Sequence, residues 1–167
     1  MRTLYLFPLF LFAQTPAVLF AQDARGLMKQ AAAEQDPAKA IDLYQQAARL
    51  KPDDWQIPWK IGGICQHKRN SCKEAVPFYE KAVELSAHGE EKAVYSLSGC
   101  YSVMALHAQQ IRLISTFERK VGGLKNEKMR SRLARAYFSA HLPDRAYAYA
   151  LPGSSLRKEL SPKTIVM

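Results

Sequence analysis

AKAIDLYQQAARLKP, residues 38–52, places Ala40, Ile41, Tyr44, Ala47, Ala48 and Leu50 at helical spacing, with Lys39, Asp42, Gln45, Gln46 and Arg49 pointing elsewhere. The spacing predicts an amphipathic helix with a small, apolar face. Its ends carry their own chemistry: Asp36 can cap the free amides, Pro37 suits the first turn, and Lys51-Pro52 stops the helix.

The pattern returns 35 residues later, in KEAVPFYEKAVELS, residues 73–86. Ala75, Tyr79, Ala82 and Leu85 stand where the first copy has Ala40, Tyr44, Ala47 and Leu50. A constant offset of that size marks a repeat, in which each unit buries its apolar face against its neighbours. A weaker echo, Leu133-Ala134 with Tyr137 and then Ala146, stands two periods beyond.

These residues resemble the tetratricopeptide repeat family, helix pairs of period about 34 with the pattern W-x2-L-G-x2-Y, then A-x3-F, then P. The first copy supplies Ala40, Tyr44, Ala47 and Pro52, and the second Trp59, Gly63, Ala75, Tyr79 and Ala82. The fourth supplies Leu133, Ala134, Tyr137 and Ala146. Gly62 stands where the family has Leu and Gln66 where it has Tyr, while residues 90–121 match only at Tyr95 and Gly99. The resemblance covers residues 25–150. It implies an all-α, right-handed superhelical solenoid of antiparallel helix hairpins, about four pairs plus a short capping helix. It also implies a binding scaffold, without naming the ligand.

Helices are expected over 23–34, 37–50, 56–67, 72–85, 90–106, 108–121, 126–140 and 143–151, separated by turn signals such as Asn70-Ser71 and Gly122-Gly123. Residues 1–21 read as a cleaved export signal: Arg2, an apolar run over 4–20, and small Ala21 at the cut. The division is therefore signal 1–21, repeat domain 22–151, and a capping helix with a tail over 152–167. Pro8, Gln14 and Pro16 interrupt a run already short for spanning, so no stable membrane span is expected after cleavage. Export to the periplasm or the outside follows, with a retained N-terminal membrane anchor as the alternative.

Three cysteines remain for an oxidising compartment, and one must be left over. Cys65 and Cys72 flank a predicted turn, where an unstrained disulfide would contribute about 2–3 kcal/mol. Buried thiols in a helical core fit the same positions. Cys65-x-His67-x4-Cys72 lacks a fourth ligand and a zinc spacing, so no metal is read there. No G-x-S-x-G, H-E-x-x-H or Gly-rich phosphate loop occurs, which points away from an enzyme and from a cofactor.

Charge is unevenly spread. Residues 23–111 hold 11 basic and 11 acidic side chains, whereas residues 112–167 hold 12 basic and 4 acidic. Within that basic third, Lys128, Arg132 and Arg135 form one stripe of a helix whose packing face is Met129, Leu133, Ala136, Tyr137 and Ala140. The family register implies that Lys128, Arg132 and Arg135 line a concave groove, together with Arg25, Lys29, Lys60 and Lys68. It implies an apolar floor of Ile57, Ile61, Ile64, Leu97 and Val103 between them. Some family members hold a C-terminal carboxylate with Lys, Asn and Arg at such positions; Lys60 and Arg132 fit, and the Asn residues are absent.

Two functions follow from these expectations. One is an exported, non-enzymatic adaptor that holds an extended, acidic protein or peptide segment in the groove. The other is a binder of a non-peptide polyanion or an anionic envelope surface through the basic third, with steep salt dependence. Nucleic acid lacks a recognition motif here, and self-association is open through Tyr147, Tyr149 and Leu151 at the end of the array.

Overall fold

The computed structural model describes residues 16–152 and 157–158, with side chains from Ala24 onward. Residues 1–15 of the expected export signal, and most of the closing helix and tail, lie outside the described residues. Among those described, the helices are α1 Pro16–Ala33, α2 Pro37–Leu50, α3 Gln56–His67, α4 Cys72–Leu85, α5 Glu91–Val103, α6 His107–Val121, α7 Glu127–Ser139 and α8 Pro143–Tyr149. Three of them carry side-chain caps, the expected Asp36 among them. Asp36 accepts from the Ala38 and Lys39 amides, Ser71 from Glu74, and Asn126 from Lys128 and Met129.

Two boundaries differ from expectation. The backbone of α1 is helical from Pro16, not from residue 23. The helix expected over 90–106 stops at Val103, because Met104 returns its amide to Cys100 and Ala105 steps into the left-handed region at φ 56°. Four other turns use the same step, at Asn70, His88, Gly122 and His141.

Successive helices pack as hairpins, α1 on α2, α3 on α4, α5 on α6 and α7 on α8, and each hairpin stacks on the next. The repeated positions form the core. Ala40, Tyr44 and Ala47 are buried, as are Ala75, Tyr79 and Ala82 one period later. A further 35 residues on, the buried set is Gln110, Ile114 and Phe117. There the small-large-small order becomes large-medium-large, so the third copy keeps the register while losing the residue types that display it.

The two departures from the family pattern compensate each other. At Gly62 an added Cβ would lie 2.7 Å from the Tyr79 ring, so the ring occupies the space a Leu side chain would need. The Tyr79 hydroxyl then donates to Gln66 Oε1 at 2.7 Å, which gives the buried phenol a partner at the position where the family has Tyr.

Polar bonds at one-repeat separation tie neighbouring hairpins. Lys68 Nζ donates to the Glu34 carbonyl at 3.0 Å, Trp59 Nε1 to Ser96 Oγ at 3.1 Å, Asn126 Nδ2 to Glu91 Oε1, and Arg132 Nη1 to the Tyr95 carbonyl. Each spans 34 to 37 residues of chain.

Candidate functional site

α3 touches α5 directly, and α5 touches α7, so the first helices of successive hairpins form one continuous face. On α3 this face carries Trp59, Lys60, Gly63, Ile64 and His67. The opposite side of the same helix carries Ile57, Ile61 and Cys65, all buried against α4.

That division corrects the expected groove floor. Ile57, Ile61 and Leu97 are core residues, 0, 3 and 2% exposed. The i, i+4 spacing of Ile57 with Ile61 on α3, and of Leu97 with buried Ala93 on α5, places them on the packed side of their helices. Ile64, one step around α3, is half-buried and does line the face. Val103 stands 76% exposed at the end of α5.

A cavity of about 450 Å³ opens between α1, α3 and α5. Tyr44, Trp59, Ile64 and Tyr79 supply its apolar walls, and small Ala31, Ala32 and Gly63 leave it room. An added Cβ at Gly63 would meet only the Tyr79 hydroxyl, at 3.9 Å. Lys60, His67 and Lys68 stand among its lining residues, and no carboxylate of the described residues lines it. The Lys60 ammonium lies 5.0 Å above the Trp59 ring, and the Lys68 ammonium is bonded to the Glu34 and Gln35 carbonyls past the end of α1. Burial pushes the Tyr79 phenol up to about 12 and raises that of Tyr44, so both rings act as neutral walls with hydroxyls at ordinary pH.

The remaining expected cations separate into two groups. Arg25, Lys29, Lys128 and Arg135 are exposed. Arg132 is held inside the scaffold: its guanidinium lies 3.5 Å above the Tyr95 ring and donates to the Tyr95 carbonyl and to Ser98 Oγ. Desolvation by burial lowers its pKa, the sign of a cation taken from water into a stacked seat. Its place in the scaffold corrects its expected role as a free groove charge. Lys128 borders a more polar hollow shared with Glu90, Glu91 and Asn126, so the α5–α7 end of the face carries both signs.

All three cysteines are free thiols. Cys65 is buried in α3, and the Cys72 thiol neighbours Cys100 on α5, whose pKa burial and that thiol push up to about 12. The hairpin clip expected between Cys65 and Cys72 is thus not formed. Among the described residues no three His, Cys, Asp or Glu side chains gather to hold a metal ion, and no helix is long and apolar enough to cross a membrane.

At the end of the array Tyr149 stacks on Tyr137 at 5.8 Å and donates to Glu118. Tyr147 remains 37% exposed beneath the Arg157 guanidinium, beside Phe138 and Leu142 at 44 and 42%.

Sequence reasoning named Lys60, Ile64 and Lys68 among the residues that line this cavity and missed Tyr44, Tyr79, Ser96 and Gly63. Trp59 and Gly63 were visible only as marks of the repeat. The signal for their function is the pairing of small residues with aromatic ones at repeat spacing.

No described protein family matches the chain by sequence, and no curated protein does. Solved structures do. The crystal structure of MamA superposes with a TM-score of 0.63 at 20% identity, over 80% of this chain and 79% of that one. MamA residues 41 to the end, from Desulfovibrio magneticus RS-1, gives 0.59 at 13%, over 89% and 77%. YrrB, described as a TPR protein with an unusual peptide-binding site, gives 0.54 at 14%, over 88% and 75%. With hairpins stacked at the repeat period and the buried Ala-Tyr-Ala register, these likenesses make the fold of the chain that of the tetratricopeptide-repeat solenoids.

Proposed function

We propose that the chain is an exported, non-catalytic interaction module that holds an extended, acidic protein segment along the face formed by α1, α3, α5 and α7. The observation that carries this reading is the cavity beside Trp59 and Gly63, apolar in its walls, bordered by Lys60 and Lys68, and with no carboxylate among the described residues that line it. An apolar pocket with a few polar groups is the usual form of a recognition site, and cations around it favour a partner of opposite sign. The likeness to YrrB supports a peptide as the ligand class. Lys60 supplies charge at the pocket and Arg135 farther along the face, while Arg132 contributes by holding the scaffold.

A second reading has its own observation. The ion pairs Arg69–Glu74 and Lys81–Glu84 both lie before the basic third. Arg112, Lys120 and Lys125 are exposed there, so an anionic surface would find them available.

The test is binding of the chain to an array of acidic, neutral and basic dodecapeptides at low and high salt, beside Lys60→Glu. The groove reading expects a selective acidic subset that persists at high salt and is lost in the variant. Unselective binding that high salt removes equally from both proteins would overturn it and support the polyanion reading.

A further inference from the structure

We propose that the cavity over Gly63 is a specificity pocket for one flat, uncharged aromatic side chain of the acidic segment, and that Ser96 keeps it open. This rests on the groove reading above and names the part of the partner that the groove selects.

The argument starts from an internal equivalence. Trp59 and Tyr95 are 36 residues apart and occupy the same place on the first helix of successive hairpins; so do Gly63 and Gly99, and so do Ser96 and Arg132. In each case the residue one repeat downstream touches the aromatic residue of the repeat before it. Arg132 covers Tyr95 at 3.5 Å, and its Nη1 stands 3.1 Å from where a Cβ of Gly99 would be. Ser96 is too short to do the same at Trp59. Its hydroxyl accepts from Trp59 Nε1 and donates to the Lys92 carbonyl, which ties the indole edge without covering Gly63.

The third repeat therefore shows what the site admits: a planar group laid over the aromatic ring and against the glycine. In the second repeat Trp55 tilts on Trp59 at 6.0 Å and Lys60 stands over the Trp59 ring, but no planar group lies against Gly63, and the result is the cavity of about 450 Å³. That volume falls in the roughly 300–1,000 Å³ range of ligand pockets.

Charge selects among planar groups. A guanidinium would meet the Lys60 ammonium above Trp59, with no carboxylate among the described lining residues to offset it. An uncharged aromatic ring meets Trp59, Tyr44 and Ile64 instead, and carboxylates on either side of it in the partner can reach the Lys60 ammonium.

The experiment uses three fluorescently labelled acidic dodecapeptides that differ only at the central residue, Phe, Arg or Ala, with affinity read by anisotropy. The chain is compared with Gly63→Leu, which fills the pocket, and with Ser96→Arg, which closes it as Arg132 closes the next site. The Phe peptide is expected to bind about tenfold more tightly than the other two, as one buried aromatic anchor commonly does. Both variants should lose that preference and keep the weaker affinity common to all three peptides.

If the three peptides bind alike to the chain, the pocket proposal fails and the groove reading stands. If the Phe preference survives in both variants, the anchor lies elsewhere and the proposal fails. If no acidic peptide binds at all, the groove reading fails, and the pocket with it. A Gly63→Leu protein that does not fold leaves Ser96→Arg to decide.

Discussion

Over Gly99 the Arg132 guanidinium lies flat against Tyr95, while the equivalent ground over Gly63, 36 residues earlier, is a cavity walled by Trp59 and Tyr44. The backbone is the same at both places, and so is the aromatic–glycine pair. The difference is one side chain delivered from the next hairpin, Arg132 in one case and Ser96 in the other. In a stack of hairpins, then, whether a repeat presents a pocket is encoded one period downstream of the pocket itself. Binding capacity and repeat-to-repeat adhesion are alternative uses of one position.

The largest effect expected separates the two adjacent glycines. Gly62→Leu restores the family residue but drives a Cβ to 2.7 Å from the Tyr79 ring, itself 1% exposed. Urea denaturation should show a loss of about 3 kcal/mol, at the upper end of ordinary overpacking. A neutral Gly62→Leu would mean that the Tyr79 ring can move, and the floor of the pocket with it.

Next in size is Arg132→Ala, which strips the stack and the charge-assisted bonds at Tyr95. A loss of about 2 kcal/mol is expected for a partly buried cation–π contact with hydrogen bonds. The same substitution should uncover a second cavity over Gly99, visible in a crystal structure of the variant. Unchanged stability would show Arg132 to be an ordinary surface cation and would remove the contrast between the repeats.

Alkaline titration sharpens the open side. The Tyr79 phenol rises from its ordinary 10.0 to about 12 through burial first, so the folded chain keeps a proton that the unfolded chain releases. Stability should therefore be full below pH 10.0 and decline as pH rises toward about 12. Tyr79→Phe should make that decline shallower, while costing about 1 kcal/mol at neutral pH for the lost bond to Gln66. An identical alkaline slope in both proteins would contradict the buried, neutral phenol.

The smallest effect has the opposite sign. Gly63→Ala meets nothing nearer than 3.9 Å and should stabilise α3 by about 0.5–1 kcal/mol in the same denaturation experiment. A loss instead would mean that the space over Gly63 is less open than over its neighbour Gly62 is closed.

Much of the fold was legible because local chemistry and tertiary role agree. Asp36-Pro37 caps a helix by its own geometry, and the Ala40, Tyr44, Ala47 spacing returns at Ala75, Tyr79 and Ala82 because those residues pack the same interface. The third copy was hidden because Gln110, Ile114 and Phe117 fill equivalent slots with inverted sizes. Packing conserves total volume at an interface, and a motif records only the residue types. The site was less legible for a related reason. Ile61 and Leu97 are apolar like a groove floor, yet an angular offset around the helix places them in the core. Arg132 is charged like a groove wall, and only its juxtaposition with Tyr95 shows that it is engaged. Spacing along one helix reports a face, and the partner of that face is supplied by another repeat.

The most direct test of the account is the affinity of the Phe-centred acidic dodecapeptide for the chain and for Ser96→Arg, with unfolding midpoints measured on the same samples. The account predicts about a tenfold loss of affinity in Ser96→Arg with a midpoint unchanged or slightly lowered by the like charge of Lys60, because the tethered guanidinium is delivered to the seat over Trp59 and Gly63 that Arg132 takes over Tyr95 and Gly99. Equal affinity for the two proteins, with both folded, would contradict it.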